Sequence, residues 1–293
     1  MPVFVILHYL SYEMTCRCVD TLIAAFAGQA YHIVIVDNGS PNGSGAALTN
    51  QYGHLDTCTV LLSEKNLGFA KGNNLGYQYA LDNLAPEFIV VMNNDVLVED
   101  PSFFEKIRRI YRENSFFVLG PDIYACKADS HQNPMRRTGY TKAQVAEIIR
   151  TRKRWLALYP LHFFYLRSLN WAKKVLKKLL GIKGKPRANP LASIALENPV
   201  LHGACYIFSK DFLSARSYAF HPGTFLYFEE DILHYDCQKS GYKMLYDPSI
   251  SVTHLEDVST NIAYRSEYGK RKMKYRNLVR SATVLLEQME ADL

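Results

Sequence analysis

Four short apolar runs in the first 100 residues constrain the fold of this chain more than any other feature. They are 3–8, 33–36, 59–62 and 88–92, and stretches with helical or loop patterns separate them. Strands that are apolar along their whole length are typical of a parallel sheet that is buried on both faces. The pattern therefore predicts an α/β fold built from βαβ units, with a mostly parallel central sheet and helices on both faces. Ligands of such sheets bind beyond the carboxyl ends of the strands.

The positive charge of the chain is concentrated in one segment. The whole chain has 34 Lys and Arg against 28 Asp and Glu, a formal net charge of +6. Residues 150–187 contain 12 Lys or Arg and no Asp or Glu, so the rest of the chain is acidic overall. No apolar stretch approaches about 18 residues, and we therefore expect no transmembrane helix.

The first run has the composition of a buried strand and not of a signal peptide, because it is short, rich in β-branched residues and has no basic residue before it. Six cysteines are scattered along the chain without the paired spacing of a zinc site. We therefore expect reduced thiols and a cytoplasmic location.

Three common nucleotide or hydrolase patterns are missing from the sequence. The turn at 8–12 after the first run lacks G-x-G-x-x-G, which argues against a dinucleotide-binding site. The chain contains neither a P-loop G-x-x-x-x-G-K-[ST] nor a G-x-S-x-G nucleophile elbow. What remains are acidic and amide residues that follow successive predicted strands.

Four motifs of this kind occur in order, each at a predicted strand end or helix start. They are Asp37-Asn38-Gly39-Ser40, Asn66-Leu67-Gly68-Phe69-Ala70-Lys71-Gly72-Asn73-Asn74, Asn93-Asn94-Asp95 and Phe228-Glu229-Glu230-Asp231. Together they resemble the family 2 glycosyltransferases, which are inverting enzymes with the GT-A fold. More narrowly, they resemble the bacterial rhamnosyltransferase-like branch that builds surface polysaccharides. The resemblance covers 3–120 and 198–256, and hardly extends to the segment between them.

The resemblance implies a division of the chain into four parts. We expect a nucleotide-sugar-binding half at 1–120 and an insertion with basic amphipathic helices at 121–197. An acceptor-binding and catalytic half would follow at 198–260, and a C-terminal helix at 261–293.

The resemblance also implies a set of donor-binding residues near the strand ends. They are Asp37, Asn38, Asn66, Gly68, Lys71, Asn73, Asn94 and Asp95. Asp37 would accept a hydrogen bond from the base or ribose, and its alternative role is to cap its own Asx-turn. The 66–74 segment would lie against the nucleotide-sugar, and its alternative role is a plain strand-to-helix connection.

Asp95 stands where the family has its metal-binding D-x-D motif, and Asn93 replaces the first acid. A divalent cation, Mg²⁺ or Mn²⁺, would stabilise the diphosphate that departs with the nucleotide. Hard cations take oxygen ligands from carboxylates and phosphates, so a single carboxylate predicts modest metal affinity. His254 is expected to complete the site, with a structural role at a strand end as the alternative, and Glu256 is a weaker additional candidate.

The resemblance implies that the acidic cluster at 229–231 acts on the acceptor. Direct displacement needs a base for the acceptor hydroxyl, and a positioned carboxylate suffices. Alignment with the family favours Asp231 as that base and Glu230 second, with Glu229 and Arg276 as weaker acceptor contacts. Acids also suit the positive end of a helix dipole, so a stabilising role at a helix start is the alternative for the cluster. For Arg276 the alternative is a solvated helix face.

The basic segment contains an amphipathic helical pattern. One face carries Tyr165, Leu169, Ala172, Leu176, Leu179 and Leu180, and the other carries Arg167, Lys174 and Lys178. Such a helix suits an anionic membrane surface, and we expect a peripheral location on the inner face of the cell membrane. A helix packed on the core with a solvated basic face is the alternative. Nucleic-acid binding is disfavoured, because it would not require so broad an apolar face.

Taken together, the sequence predicts a metal-dependent hexosyl- or rhamnosyltransferase that acts on a lipid-linked saccharide acceptor. The expected donor is dTDP-rhamnose, UDP-galactose or UDP-glucose. A nucleotidyltransferase is the second hypothesis, although the turn after the first run lacks its usual Gly-rich basic loop. A non-enzymatic basic adaptor for membrane or nucleic acid is the third, and it predicts no nucleotide binding.

Overall fold

The computed structural model describes residues 1–180, 189–256 and 266–292, and the strands among them form one sheet. The strands are β1 (Pro2–His8), β2 (His32–Asp37), β3 (Cys58–Leu62), β4 (Phe88–Asn93), β5 (Val96–Leu97), β6 (Val118–Ala125), β7 (Ser130–His131), β8 (Leu196–Glu197), β9 (Cys205–Ser209) and β10 (Met244–His254). The helices are α1 (Tyr12–Ala25), α2 (Ser44–Tyr52), α3 (Gly68–Leu84), α4 (Phe103–Asn114), α5 (Lys142–Ala157), α6 (Tyr159–Leu179), α7 (Lys210–Ala215), α8 (Glu229–Ser240) and α9 (Glu267–Ala291).

The strand order is β3-β2-β1-β4-β9-β6-β10-β5. The four predicted strands β1 to β4 pair in parallel, and so do β6 and β10. β9 runs antiparallel between β4 and β6 and joins the two parallel groups. The prediction of a mostly parallel α/β sheet is confirmed, and the antiparallel β9 adds a feature that the apolar runs did not reveal.

Helices cover both faces of the sheet, as predicted. Alternate side chains of a strand point to opposite faces, and in β1 they enter two separate cores. Phe4 and Ile6 pack in a core with residues of α1 and α4. Val3 and Val5 pack in a second core with residues of α3, α7 and α8.

β6 crosses the predicted domain boundary at residue 121. Residues 118–125 pair with β10 in the middle of the sheet, and so 121–125 belong to the core and not to an insertion. β10 is one long strand, with an irregular register between Asp247 and Ser251. The predicted boundary between the catalytic half and the C-terminal helix, at 260, lies outside the described residues.

A third, smaller core joins α5, α8 and α9. It contains Val145 and Ile149 from α5, Ile232 from α8 and Ala282 and Leu285 from α9. α6 follows α5 directly and carries a series of exposed apolar side chains. Among the described residues, no helix combines the length and the apolarity that crossing a membrane requires.

Candidate active site

A cavity of about 560 Å³ lies beyond the carboxyl ends of β1, β2 and β4. Nine of the candidate site residues line it: Asn38, Asn66, Gly68, Asn94, Asp95, Glu229, Glu230, His254 and the weaker candidate Glu256. A larger and more open depression of about 1030 Å³ runs along α1, and none of the predicted site residues lines it. The described structure therefore brings the predicted strand-end residues together in one place.

Asp95 and His254 meet because two distant strands pair. Val96 of β5 lies opposite His254 of β10 in an antiparallel pair, and the Leu255 amide donates to the Asp95 carbonyl at 2.9 Å. The pairing leaves Asp95 Oδ1 3.2 Å from His254 Nε2, with both side chains buried except where they face the cavity. The predicted metal-ligand pair is thus adjacent in the fold.

The orientation of the His254 ring suits a cation between these two groups. Gln132 Nε2 donates to Glu256 Oε1, which leaves Gln132 Oε1 as the acceptor for His254 Nδ1 at 2.7 Å. The Nε2 atom of His254 therefore points to the Asp95 carboxylate at 3.2 Å. A protonated ring would form an ion pair with the carboxylate, and a bound cation could take Nε2 and the carboxylate as ligands.

No cluster of three or more His, Cys, Asp or Glu side chains with metal-binding geometry occurs in the described ranges. Two protein ligands are nevertheless consistent with a cation that takes its remaining ligands from the phosphates of a substrate. The donor set of Asp95 and His254 fits such a cation.

His202 also lines the cavity, although it belongs to none of the four sequence motifs. Its ring centroid lies 6.1 Å from that of His254, and burial together with His254 lowers its pKa to about 4. The Ala204 amide donates to Nδ1 at 3.1 Å, so Nε2 carries the proton. His202 thus supplies a neutral hydrogen-bond donor beside the candidate metal ligands.

Glu230 is one of two acids of the 229–231 cluster that line the cavity. It lies in the first turn of α8, lines the cavity and accepts a hydrogen bond from the Gly203 amide. Burial and the Asp231 charge raise the pKa of Glu230 to about 7, and the Gly203 amide and Arg136 oppose the shift. A Cβ on Gly203 would lie 2.5 Å from Glu230 Oε1, so a glycine is required there.

Asp231 occupies a different environment. Its carboxylate is buried, forms an ion pair with Arg136 and does not line the cavity. Burial raises its pKa to about 6, and Arg136, which stacks over the Tyr140 ring at 4.0 Å, opposes the shift. The sequence ranks Asp231 before Glu230 as the base, but of these two carboxylates only Glu230 lines the cavity, and Asp231 is paired with Arg136.

Glu229 is buried and enters the same cavity. Its Oε1 atom has no hydrogen-bond partner in the described part of the chain, and burial raises its pKa well above the usual value. The preceding residues Tyr227 and Phe228 both have a positive φ, 72° and 69°. Two bulky residues in this region are strained, and such strain is common at functional sites.

The loop before α3 forms another wall of the cavity. Leu67 donates its amide to Asn38 Oδ1 at 2.8 Å, and Asn38 Nδ2 lies 3.2 Å from both Asn66 Oδ1 and the Gly68 carbonyl. Gly68 has a φ of +82°, and a Cβ there would lie 2.3 Å from the Phe225 carbonyl oxygen. The amide of Asn38 therefore fixes the shape of this loop.

Besides Asp231, four predicted residues do not line the cavity. Asp37 accepts from the Ser40 amide at 3.2 Å, which is the Asx-turn alternative. Asn73 donates to the Phe69 carbonyl at 3.0 Å within α3. The side chains of Lys71 and Arg276 are exposed to solvent.

Three residues that no sequence motif marks contact site residues without lining the cavity themselves: Gln132, Arg136 and Thr15. Thr15 Oγ1 accepts from Asn94 Nδ2 at 2.8 Å and lies 2.7 Å from His8 Nδ1. Gln132 and Arg136 belong to the segment 121–197, in which the motif pattern lapses. No signal in a single sequence marks them, because each acts on a residue about 80 to 120 positions away.

Comparison with known proteins identifies related sequences. The model of glycosyl transferase family 2 matches residues 3–180. The match extends into the segment 121–197, which we expected to lie largely outside the resemblance, and it ends at residue 180, before the acidic cluster at 229–231. A hexosyltransferase of low-salt glycan biosynthesis, Agl10 of Haloferax volcanii, is 28% identical over 119 residues. The aligned segment covers 41% of this chain and only 35% of that relative.

Two solved structures share the fold. The crystal structure of S. aureus TarS 1–349 aligns with 95% of this chain and 70% of its own, with a TM-score of 0.53 and 10% identity. A crystal structure of GalNAc-T7 with UDP, GalNAc and Mn²⁺ aligns with 92% of this chain and 44% of its own, with a TM-score of 0.56 and 14% identity. At these identities the similarity concerns the fold alone.

Proposed function

Because the chain belongs to glycosyl transferase family 2, we propose that it transfers a sugar from a nucleotide-sugar donor to a hydroxyl group of a saccharide acceptor, with inversion at the anomeric carbon. The observation that carries this proposal is the cavity at the strand ends. It places the Asp95–His254 pair and Glu230 in one space of about 560 Å³. That volume is within the range of small-molecule sites.

The proposed donor site is the side of the cavity formed by Asn38, Asn66 and Asp95. The Asn38 amide fixes the loop before α3, so the backbone of that loop is held ready for the donor. The GalNAc-T7 structure of the same fold contains UDP, which supports a nucleoside diphosphate as the shared part of the donor. We retain dTDP-rhamnose, UDP-galactose and UDP-glucose as the candidate donors.

We further propose that Asp95 and His254 hold a divalent cation, Mg²⁺ or Mn²⁺. Such a cation, when bound, would neutralise the negative charge that develops on the leaving diphosphate. Gln132 keeps the His254 ring oriented, and β5–β10 pairing keeps Asp95 beside it. His202 adds a neutral N–H donor for an oxygen atom of the substrate.

We propose Glu230 as the base. Its carboxylate takes the proton of the acceptor hydroxyl while that oxygen forms a bond to the anomeric carbon. The bond between the anomeric carbon and the diphosphate oxygen breaks, and its electron pair leaves with the diphosphate. A pKa near 7 suits a base that works at neutral pH. Asp231 and Arg136 act as a structural pair that anchors the start of α8.

The acceptor is proposed to be a saccharide on a lipid carrier. The resemblance to enzymes of surface polysaccharide synthesis supports this class, as does the description of the Haloferax volcanii relative as a glycan biosynthesis enzyme. The basic segment of the chain supports it independently, because it suits an anionic membrane surface.

The proposal is tested by screening dTDP-rhamnose, UDP-galactose and UDP-glucose for hydrolysis and transfer in the presence of Mn²⁺. Glu230→Gln should lower the transfer rate at least about 100-fold while leaving donor binding intact, because a general base contributes roughly 10²–10⁴-fold. Asp231→Asn should lower it far less, or act through stability, since Asp231 does not line the cavity.

Thermal unfolding of both variants controls for loss of folding. Normal turnover by Glu230→Gln together with an inactive but folded Asp231→Asn would restore Asp231 as the base. Absence of binding and hydrolysis for every nucleotide-sugar in the panel would argue against a glycosyltransferase with these donors.

A further inference from the structure

Eight of the 17 large apolar side chains that are exposed in the described structure lie on α6. Six of them are each between 56% and 77% exposed: Leu161, Phe164, Tyr165, Trp171, Leu176 and Leu179. We call these six residues the α6 surface. Helical geometry at 3.6 residues per turn puts all six on one side of α6. Contiguous exposed apolar side chains of this kind mark an interaction site.

The opposite side of α6 packs against the body of the protein. Tyr159 donates its hydroxyl to the Tyr268 carbonyl at 2.8 Å, and the Phe163 ring lies 5.0 Å from the Tyr268 ring. His162 stacks on Trp155 of α5 at 4.5 Å. The helix is therefore fixed to α5 and α9 by one side, and the α6 surface faces outward. This arrangement is the reverse of a helix that buries its apolar face in the core.

Basic side chains flank the α6 surface. Helical geometry places Arg167 and Lys174 along one edge and Lys173 along the other, and all three are exposed. No Asp or Glu occurs from Arg150 to Leu180. An apolar strip between two rows of cations is typical of helices that lie in the interface of an anionic membrane.

We propose that the α6 surface docks on an anionic lipid bilayer, with its apolar side chains among the acyl chains and its Lys and Arg side chains at the lipid phosphates. A second copy of the chain fits this surface less well. In a two-fold symmetric dimer the same patch meets itself, and the cations of the two helices would repel. A nucleic acid would leave the apolar side chains without a partner.

The position of α6 connects the membrane to the cavity. Tyr268, against which α6 packs, lies little more than one helical turn before Met273, and Met273 lines the cavity. α9 shares a core with α5 and with α8, the helix that carries Glu230. Docking through α6 would thus hold the cavity at a fixed orientation to the bilayer. This consequence for a lipid-linked acceptor rests on the proposed function, as does a location on the inner face of the cell membrane.

Sedimentation of the full chain with vesicles tests the docking in the absence of any nucleotide-sugar. Vesicles of phosphatidylcholine with about 30% phosphatidylglycerol should bind the protein at least roughly tenfold more tightly than pure phosphatidylcholine, because each cation near the surface adds attraction. Combined substitution of Leu161→Ser, Phe164→Ser and Leu176→Ser should reduce binding to both vesicles by about tenfold or more.

Two further variants separate charge from apolar burial. Combined Arg167→Gln, Lys173→Gln and Lys174→Gln should abolish the preference for anionic vesicles and its sensitivity to salt. A matched control carries Leu62→Ser and Ile194→Ser, which are 56% and 57% exposed but lie outside α6. The control should bind as the unmodified protein does.

Fluorescence reports insertion directly, since the chain has only two tryptophans. In Trp155→Phe, the remaining Trp171 should shift its emission to shorter wavelength on anionic vesicles and be quenched by brominated lipid. An unshifted Trp171, or a triple apolar variant that binds as tightly as the unmodified protein, would overturn the proposal. So would a dimer that the triple variant dissociates, with no vesicle binding by the unmodified chain.

Transfer to a soluble acceptor separates this inference from the proposed function. The triple apolar variant should retain that activity, because none of its substituted side chains lines the cavity. Vesicle binding without any glycosyl transfer would support the docking surface and reject the proposed function. Transfer without vesicle binding would support the proposed function and reject the docking surface.

Discussion

At the level of single residues, the fold gives three consecutive carboxylates of the site different environments. Glu229, Glu230 and Asp231 are consecutive, yet each has its own environment. Asp231 is neutralised by Arg136, Glu229 is buried with one unpartnered oxygen in the described structure, and Glu230 faces the cavity. Burial raises the pKa of all three carboxyl groups. Groups with raised pKa values that face a cavity are candidates for proton transfer.

The raised pKa of Glu230 predicts a pH dependence of activity. A base must be ionised, so kcat/KM should rise with pH through about 7 and level off above it. A pH–rate profile of the unmodified enzyme checks this. In Glu230→Gln, the rise of kcat/KM near pH 7 should be absent from the residual activity. A profile that is flat between pH 6 and 8 would argue against Glu230 as the base.

The same pKa predicts the sign of a stability effect. The folded-state pKa of about 7 lies above the usual value of 4.5, so the protonated form is favoured by folding. The stability that protonation contributes is full below about 4.5 and is lost as pH rises through about 7. Glu230→Gln should therefore raise the free energy of unfolding at pH 8.5 by about 3 kcal/mol, and with it Tm, and should change both little at pH 4.

At the scale of elements, α3 is positioned by its glycines as much as by its apolar residues. A Cβ on Gly76 would lie 2.6 Å from Val5 Cγ1 and 2.8 Å from Val36 Cγ2. The helix therefore approaches β1 and β2 closely, and the loop before it reaches the cavity. Gly76 thus lies against side chains of two strands, a contact that the apolar runs of the sequence do not indicate.

Substitution at Gly76 tests this packing. Gly76→Val should destabilise the protein by roughly 1–3 kcal/mol, because a side chain there overlaps β1 and β2. Chemical denaturation measures the change. Gln78→Val on the exposed side of the same helix is the matched control and should cost less than about 1 kcal/mol. Equal effects of the two substitutions would show that helix propensity, and not contact with the sheet, is responsible.

At the scale of the whole molecule, the cavity is shared between distant parts of the chain. β1, β2 and β4 supply one wall, and β10 and α8 supply the other. β9 joins the two groups by pairing antiparallel with β4 and with β6. A ligand that touches both walls should therefore stabilise the molecule as a whole.

Thermal stabilisation by UDP and Mn²⁺ measures that effect. A ligand at a free concentration of about 100 times its dissociation constant adds roughly 2.7 kcal/mol to the free energy of unfolding. UDP and Mn²⁺ together should raise Tm more than the sum of their separate effects, and Asp95→Asn should remove the excess. His254→Gln should do the same. Equal stabilisation of Asp95→Asn and the unmodified protein would place the cation elsewhere.

The amino-acid sequence alone specifies the four parallel strands β1 to β4 and the edge of the sheet at which the candidate site lies. Continuous apolar runs such as 33–36 specify buried parallel strands from local composition alone, and the polar residues after them specify where a ligand binds. The tertiary structure decided which of these residues act together. Asp95 meets His254 through β5–β10 pairing, and Arg136 pairs with Asp231 and leaves Glu230 facing the cavity. Contacts between residues about 100 or more positions apart depend on strand pairing and on burial, which no local pattern encodes.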